Sequence, residues 1–144
     1  ISEKHFLKKK LTPNKRFVLQ DASQFLKNTT ETYDVILLDV YSNSYQIPEG
    51  LITAEFMGRI KSRVAPNGVV LMNTIVSTAF TDAYTRVFDN TFHSVFTHNT
   101  IRQVIGYMNP WVQSDTTNVI YVYINRENDG RIYTINSTPV IYDR

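Results

Sequence analysis

Tyr33-Asp34-Val35-Ile36-Leu37-Leu38-Asp39-Val40-Tyr41 is the stretch whose reading decides the fold. Four consecutive apolar residues, Val35 to Leu38, predict a strand buried on both faces, as in the middle of a parallel sheet. The run stops at Asp39 and gives way to polar residues, Tyr41-Ser42-Asn43-Ser44-Tyr45-Gln46. In open α/β sheets ligands bind just beyond the carboxyl ends of the strands. Asp39, and Tyr41 two residues on, are therefore the candidate catalytic residues.

Upstream, Ser2 to Leu11 reads as a helix closed by Thr12-Pro13-Asn14, and Arg16 to Gln20 as a short strand ending at Asp21. Asp21 is placed to cap a short helix through Lys27. Downstream, Ile47-Pro48-Glu49-Gly50 makes a turn, and Thr53 caps a helix whose apolar stripe is Phe56, Met57, Ile60 and Val64. Ala65-Pro66-Asn67-Gly68 ends that helix, and Val69 to Met72 follows as a second buried strand ending at Asn73. Ser77 or Thr78 caps a third helix carrying Phe80, Tyr84 and Phe88 as a core stripe. Ser94 to Thr97 reads as a strand, residues 101–117 as a loop, and Asn118 to Ile124 as the strongest later strand. Strands alternating with helices predict an α/β fold with a largely parallel sheet, in one domain over 1-144. The closing pair, with no helix between, predicts an antiparallel strand near the C-terminal edge.

Composition sets outer limits. Apolar residues make up 42% and charged residues 19%, ordinary values for a globular domain. A formal charge of +2 gives no footprint for nucleic acid, and no apolar run reaches the length of a membrane span. There is no cysteine, which removes thiolate chemistry and cysteine metal sites. His5, His93 and His98 show no metal-ligand spacing, so no metal is expected. The five glycines are scattered and form no phosphate-binding loop. These features fit a cytoplasmic protein.

Two carboxylates, Asp21 and Asp39, terminate predicted strands, where they could accept hydrogen bonds from a ribose hydroxyl, an exocyclic amine or a substrate ammonium. The plainer alternative is that Asp21 only caps its helix and Asp39 only begins a loop.

Asp21-Ala22-Ser23-Gln24-Phe25-Leu26, Tyr33 to Asp39, Ile47-Pro48, Leu51 to Phe56 and Ala65-Pro66-Asn67-Gly68-Val69, in that order and spacing, resemble the spermidine synthase (polyamine aminopropyltransferase) family. The resemblance implies a Rossmann-like, class I methyltransferase-like fold and, as co-substrate, S-adenosylmethionine or decarboxylated S-adenosylmethionine. It implies that Asp21 accepts a hydrogen bond from the adenine amine beside the Ala22 amide, that Pro48 and Leu51 line the nucleoside, and that Asp39 activates a small-molecule amine acceptor. Members that use diamines carry a second Asp three residues after the first; here that position is Ser42. The family's Gly-rich first strand and turn belong before Ile1, so the chain reads as an N-terminally truncated domain. It is expected either to form a homo-oligomer or to pair with a missing N-terminal half. The alternatives are a non-catalytic relative serving as a binding or assembly module, and a small-molecule methyltransferase on the same fold.

Overall fold

The strands assemble around Val64–Ser77, a 14-residue strand that pairs on both sides. The computed structural model describes residues 8–42, 46–105 and 116–127. In chain order the elements are α1 (Ala22–Asn28), β1 (Tyr33–Leu38), a 3-10 turn (Glu49–Leu51), α2 (Ala54–Lys61), β2 (Val64–Ser77), α3 (Ala83–Val95), β3 (Thr100–Ile105) and β4 (Thr116–Ile124). The sheet order is β1-β2-β4-β3, with β1 parallel to β2 and β4 antiparallel to both of its neighbours. The result is a mixed α/β sheet flanked by helices. The antiparallel character expected at the C-terminal edge extends over β4 and β3.

Each helix starts on a side-chain cap. Asp21 Oδ1 accepts from Gln24 N at 3.0 Å, Thr53 Oγ1 from Phe56 N at 3.2 Å, and Asp82 Oδ1 from Thr85 N at 2.8 Å. Such caps contribute about 0.5–2 kcal/mol each. Helical spacing then brings Phe56, Met57 and Ile60 of α2, and Phe88 and Phe92 of α3, onto one core with Val70, Met72, Val119 and Tyr121 of the sheet. Aromatic rings fill its centre: Phe92 lies 4.7 Å from Phe96 and 5.0 Å from Tyr121, centroid to centroid.

Only one face of the sheet meets this core. Side chains alternate along a strand, and on β1 Ile36 and Leu38 turn inward while Val35 and Leu37 remain 60% and 62% exposed. The strand predicted to be buried on both faces is thus covered on one by the described residues, because the helical residues of the core all pack against the other side chains of the sheet. The register carries the open face across the sheet, through Val69 and Leu71 of β2 and Val122 of β4 to the exposed Ile101 and Ile105 of β3. β1 also ends the sheet order, so its outer edge is unpaired among the described residues.

Several predicted boundaries move. Residues 15–20 form no strand; Phe17, Val18 and Leu19 are exposed. Among the described residues no neighbouring strand receives their backbone bonds, and the exposed Arg16–Glu31 pair at 2.9 Å contributes little. Of the predicted first helix, residues 1–7 lie outside the described residues and 8–11 are not helical. Val64 opens β2 and does not close α2. Ala65 to Gly68 form a bulge inside β2, where the pairing jumps from Tyr33↔Val64 to Val35↔Val69. Asn67 takes φ 63°, and a Cβ on Gly68 would sit 2.9 Å from Ala65 O and 3.0 Å from Asp34 O, so that position requires glycine. Asn125 locks the bulge, its Nδ2 donating to Val64 O and Ala65 O at 3.0 Å each. α3 begins after Asp82, not at Ser77 or Thr78, since Phe80 has φ 54° and breaks the helical path. Ser94 and Val95 close α3 with Phe96 as its C-cap, and the strand comes later, at β3, largely inside the predicted loop. The predicted tail, residues 131–144, lies outside the described residues.

Asp89 of α3 ties the helix to the two C-terminal strands. Its Oδ1 accepts from Arg102 at 2.8 Å and from the Tyr121 hydroxyl at 3.1 Å. Burial, then the Asp89 charge, pushes the Tyr121 phenol well above its ordinary value of 10.0. A phenol raised in the folded state contributes stability that is present below the unfolded value and lost as pH rises above it. Stability is expected to fall above pH ~10, with Tyr121 supplying about 1.4 kcal/mol per pH unit of that slope. Urea titrations from pH 8 to 12 check this: Tyr121→Phe should have the shallower alkaline limb, and equal limbs would remove Tyr121 as the cause.

Candidate functional site

The site is built at the carboxyl end of β1. Leu38 pairs with Met72, so the next residues, Asp39 and Asn73, stand side by side on the open face of the sheet. Asn73 Nδ2 donates to Asp39 Oδ1 at 3.0 Å. The Asp39 carboxylate is exposed, while Asn73 is half-buried between the wholly buried Met72 and Thr74.

Tyr41 folds back beside this pair. Burial, then the charge of Asp39, then Tyr84, raise its phenol above the ordinary value, so it is a neutral hydroxyl at pH 7. That hydroxyl is buried and has no hydrogen-bond partner among the described residues, and the same is true of Asn73 Oδ1. Beyond Tyr41, the Ser42 N–H and hydroxyl both donate to Gln46 O at 2.8 Å, closing the loop. Ile47 is buried, and its N–H donates to the Tyr84 hydroxyl at 3.3 Å, which fastens the loop exit to α3. Pro48 then caps the 3-10 turn, accepting from Leu51 N at 2.8 Å, and Leu51 packs on the core.

Four of the candidates, Asp39, Tyr41, Pro48 and Leu51, therefore lie on one continuous segment that leaves β1 and enters α2. Asp21 and Ala22 belong to a separate element. Asp21 caps α1 through Oδ1, Ala22 packs on the core, and no hydrogen bond joins either to the Asp39 group. The capping role foreseen for Asp21 is present, and its Oδ2 is not engaged by the described residues.

Asn73 and Tyr84 were not among the sequence candidates. Asn73 reads only as a strand end, yet it is the lone amide in the run from Val69 to Val76, and that interruption is the signal that marks it. Tyr84 was read as core stripe; it packs there, but its hydroxyl serves the loop. Among the described residues no group of three His, Cys, Asp or Glu is placed to hold a metal ion. No described helix is long and apolar enough to cross a membrane. A surface concavity lined by Pro66, Asn67, Asn125, Arg126 and Glu127 lies at the β2 bulge, away from Asp39.

The spermine/spermidine synthase domain model matches residues 4–120. A polyamine aminopropyltransferase of Sulfolobus acidocaldarius is 28% identical over 132 residues, covering 88% of this chain and 43% of the relative. One from Vibrio vulnificus is 32% identical over 82 residues, covering 55% of this chain and 27% of the relative. In structure, a probable spermidine synthase from Corynebacterium glutamicum superposes with a TM-score of 0.64 at 20% identity, over 95% of this chain and 46% of that one. The chain thus spans less than half the length of each of these proteins.

Proposed function

The chain belongs to the spermine/spermidine synthase family, and from that premise we propose that it carries the acceptor-activating part of a transferase acting on decarboxylated S-adenosylmethionine or S-adenosylmethionine. The observation that carries the proposal is the Asp39 carboxylate at the end of β1, held by Asn73 and flanked by Tyr41, within the matched segment. A general base must lie within hydrogen-bond reach of its nucleophile, and an exposed carboxylate at a strand end is accessible to an amine.

The reaction is a displacement at carbon. The amine lone pair forms a bond to the carbon attached to the sulfonium, the carbon–sulfur bond breaks, and its electron pair neutralises the sulfur. The amine proton passes to Asp39. With the decarboxylated substrate the departing group is methylthioadenosine. Asp21 and Ala22 would bind its adenine, and Pro48 and Leu51 would line the nucleoside. Ser42, with its hydroxyl turned back to Gln46 O, supplies no second carboxylate, so a diamine loses one ion pair at this position. The open edge of β1 and the bare sheet face would be covered in the working protein, by a second copy or by the further part of the domain that relatives possess.

A non-catalytic assembly module is the second reading, favoured by that same bare face. Product analysis on the whole natural chain separates the two. Incubation with decarboxylated S-adenosylmethionine and a panel of amines should release methylthioadenosine; release of neither methylthioadenosine nor S-adenosylhomocysteine, from either sulfonium substrate, supports the assembly module. Titration calorimetry adds a binding test. Methylthioadenosine should bind, and Asp21→Ala should weaken binding by about 1–3 kcal/mol, the cost of losing a hydrogen bond to a charged group. Equal affinities for the two proteins would confine Asp21 to capping α1.

A further inference from the structure

We propose that Asn73 is a positioning residue: its side-chain amide fixes the orientation of the Asp39 carboxylate in which the base meets the amine. This rests on the reading of Asp39 as that base.

The fold alone gives no reason for an amide at position 73. The neighbours of Asn73 on its own face of β2 are Leu71 and Ile75, and its partner across β4 is Ile120. An apolar side chain suits that surface. The amide moreover leaves its Oδ1 buried without a partner, an arrangement that is costly for a buried polar atom and requires an explanation. Exchanging the amide O and N would set oxygen against carboxylate, so the Asp39 contact itself dictates the orientation. What the amide gains is the 3.0 Å bond from Nδ2 to Asp39 Oδ1.

That bond acts on the one part of the base which the sheet leaves loose. β1 ends at Leu38, and Asp39 is exposed, so its carboxylate would otherwise sample several rotamers. β2 continues past Met72 to Ser77 and stays paired with β4 on both sides of Asn73, so Asn73 is seated inside a paired strand. The amide transmits that rigidity across the sheet. With Oδ1 engaged, Oδ2 is the oxygen left to receive a proton. Orientation of a catalytic group changes rates steeply, because a misplacement near 1 Å costs about 10²-fold.

The test uses the whole natural chain, with decarboxylated S-adenosylmethionine and its best amine acceptor, and reads kcat, KM and thermal midpoint. Asn73→Leu should lower kcat by about 10-fold or more, with KM within about twofold, at an unchanged or higher midpoint. Placed on Asp39→Asn, it should lower kcat no further, as expected of two residues acting through one contact. A fall in midpoint with kcat per folded molecule unchanged makes Asn73 structural and overturns the proposal. So does full additivity of the two substitutions. If Asp39→Asn itself leaves kcat untouched, the reading of Asp39 as base fails; if it abolishes turnover while Asn73→Leu does not slow it, only the positioning role fails.

Discussion

Asp39→Asn, introduced into the whole natural chain, is expected to lower turnover by about 10²-fold or more and to leave methylthioadenosine binding nearly intact. The substitution is selective because an Asn side chain presents an oxygen to Asn73 Nδ2 just as the carboxylate does, so the 3.0 Å cross-strand contact has a replacement acceptor. Shape and partner are kept and basicity is removed. Steady-state kinetics beside a chemical-denaturation curve read the two effects separately. Loss of stability with unchanged activity per folded molecule would show that the carboxylate only organises the strand end.

The largest effect on stability is expected at Phe92. Its ring is fully buried, 4.7 Å from Phe96, 5.0 Å from Tyr121 and 5.4 Å from His93. Phe92→Ala should cost about 3–5 kcal/mol, a large share of the 5–15 kcal/mol typical of a whole domain. The described core lies on one side of the sheet, so no second hydrophobic layer among the described residues offsets the cavity. Val87→Ala on the same helix, at a 58% exposed position, is the control and should change stability by less than about 0.5 kcal/mol. Urea denaturation of both variants checks the contrast, and similar midpoints would place the core elsewhere.

The apolar stripe of α3 was legible in part. Phe88 was read as a core residue from its spacing of four along α3, and it is buried. Phe80, at the same spacing, stands before the helix with a left-handed backbone. Periodicity reports which side chains share a face only while the backbone stays helical, and it gives no warning of where the helix starts. The cap at Asp82 decided that. β1 was legible as a strand from its apolar run, but the run could not say how many faces are covered. That depends on which layer is present on each side of the sheet, a property of tertiary packing. β3 was missed for a related reason: its apolar Ile101 and Ile105 stand on the open face while Arg102 turns to Asp89 of α3, so polar and apolar residues do not separate by face and the pattern weakens to that of a loop.

At the site, the strand end drew attention to Asp39 and Tyr41, and the role of a base for Asp39 came from the family resemblance. Asn73 could not be assigned in that way. Its importance comes from the register that sets Leu38 against Met72, and register between strands some 30 residues apart is not written in either strand by itself. Asp21 lies between these cases. Its cap was readable in sequence and is present in the structure, whereas any contact with a nucleoside depends on the ligand.

The sheet face that the described residues leave bare has a calorimetric signature. Val35, Leu37, Ile101 and Ile105 expose apolar surface there. Any process that covers them must lower the heat capacity, because removal of apolar surface from water does so whatever the partner. Pairing along the outer edge of β1 would bury mainly peptide groups, whose hydration contributes to heat capacity with the opposite sign. The temperature dependence of an association enthalpy therefore distinguishes covering the face from extending the edge. A steeply negative slope reports closure of the sheet into a three-layer body, and a flat one reports the addition of a strand.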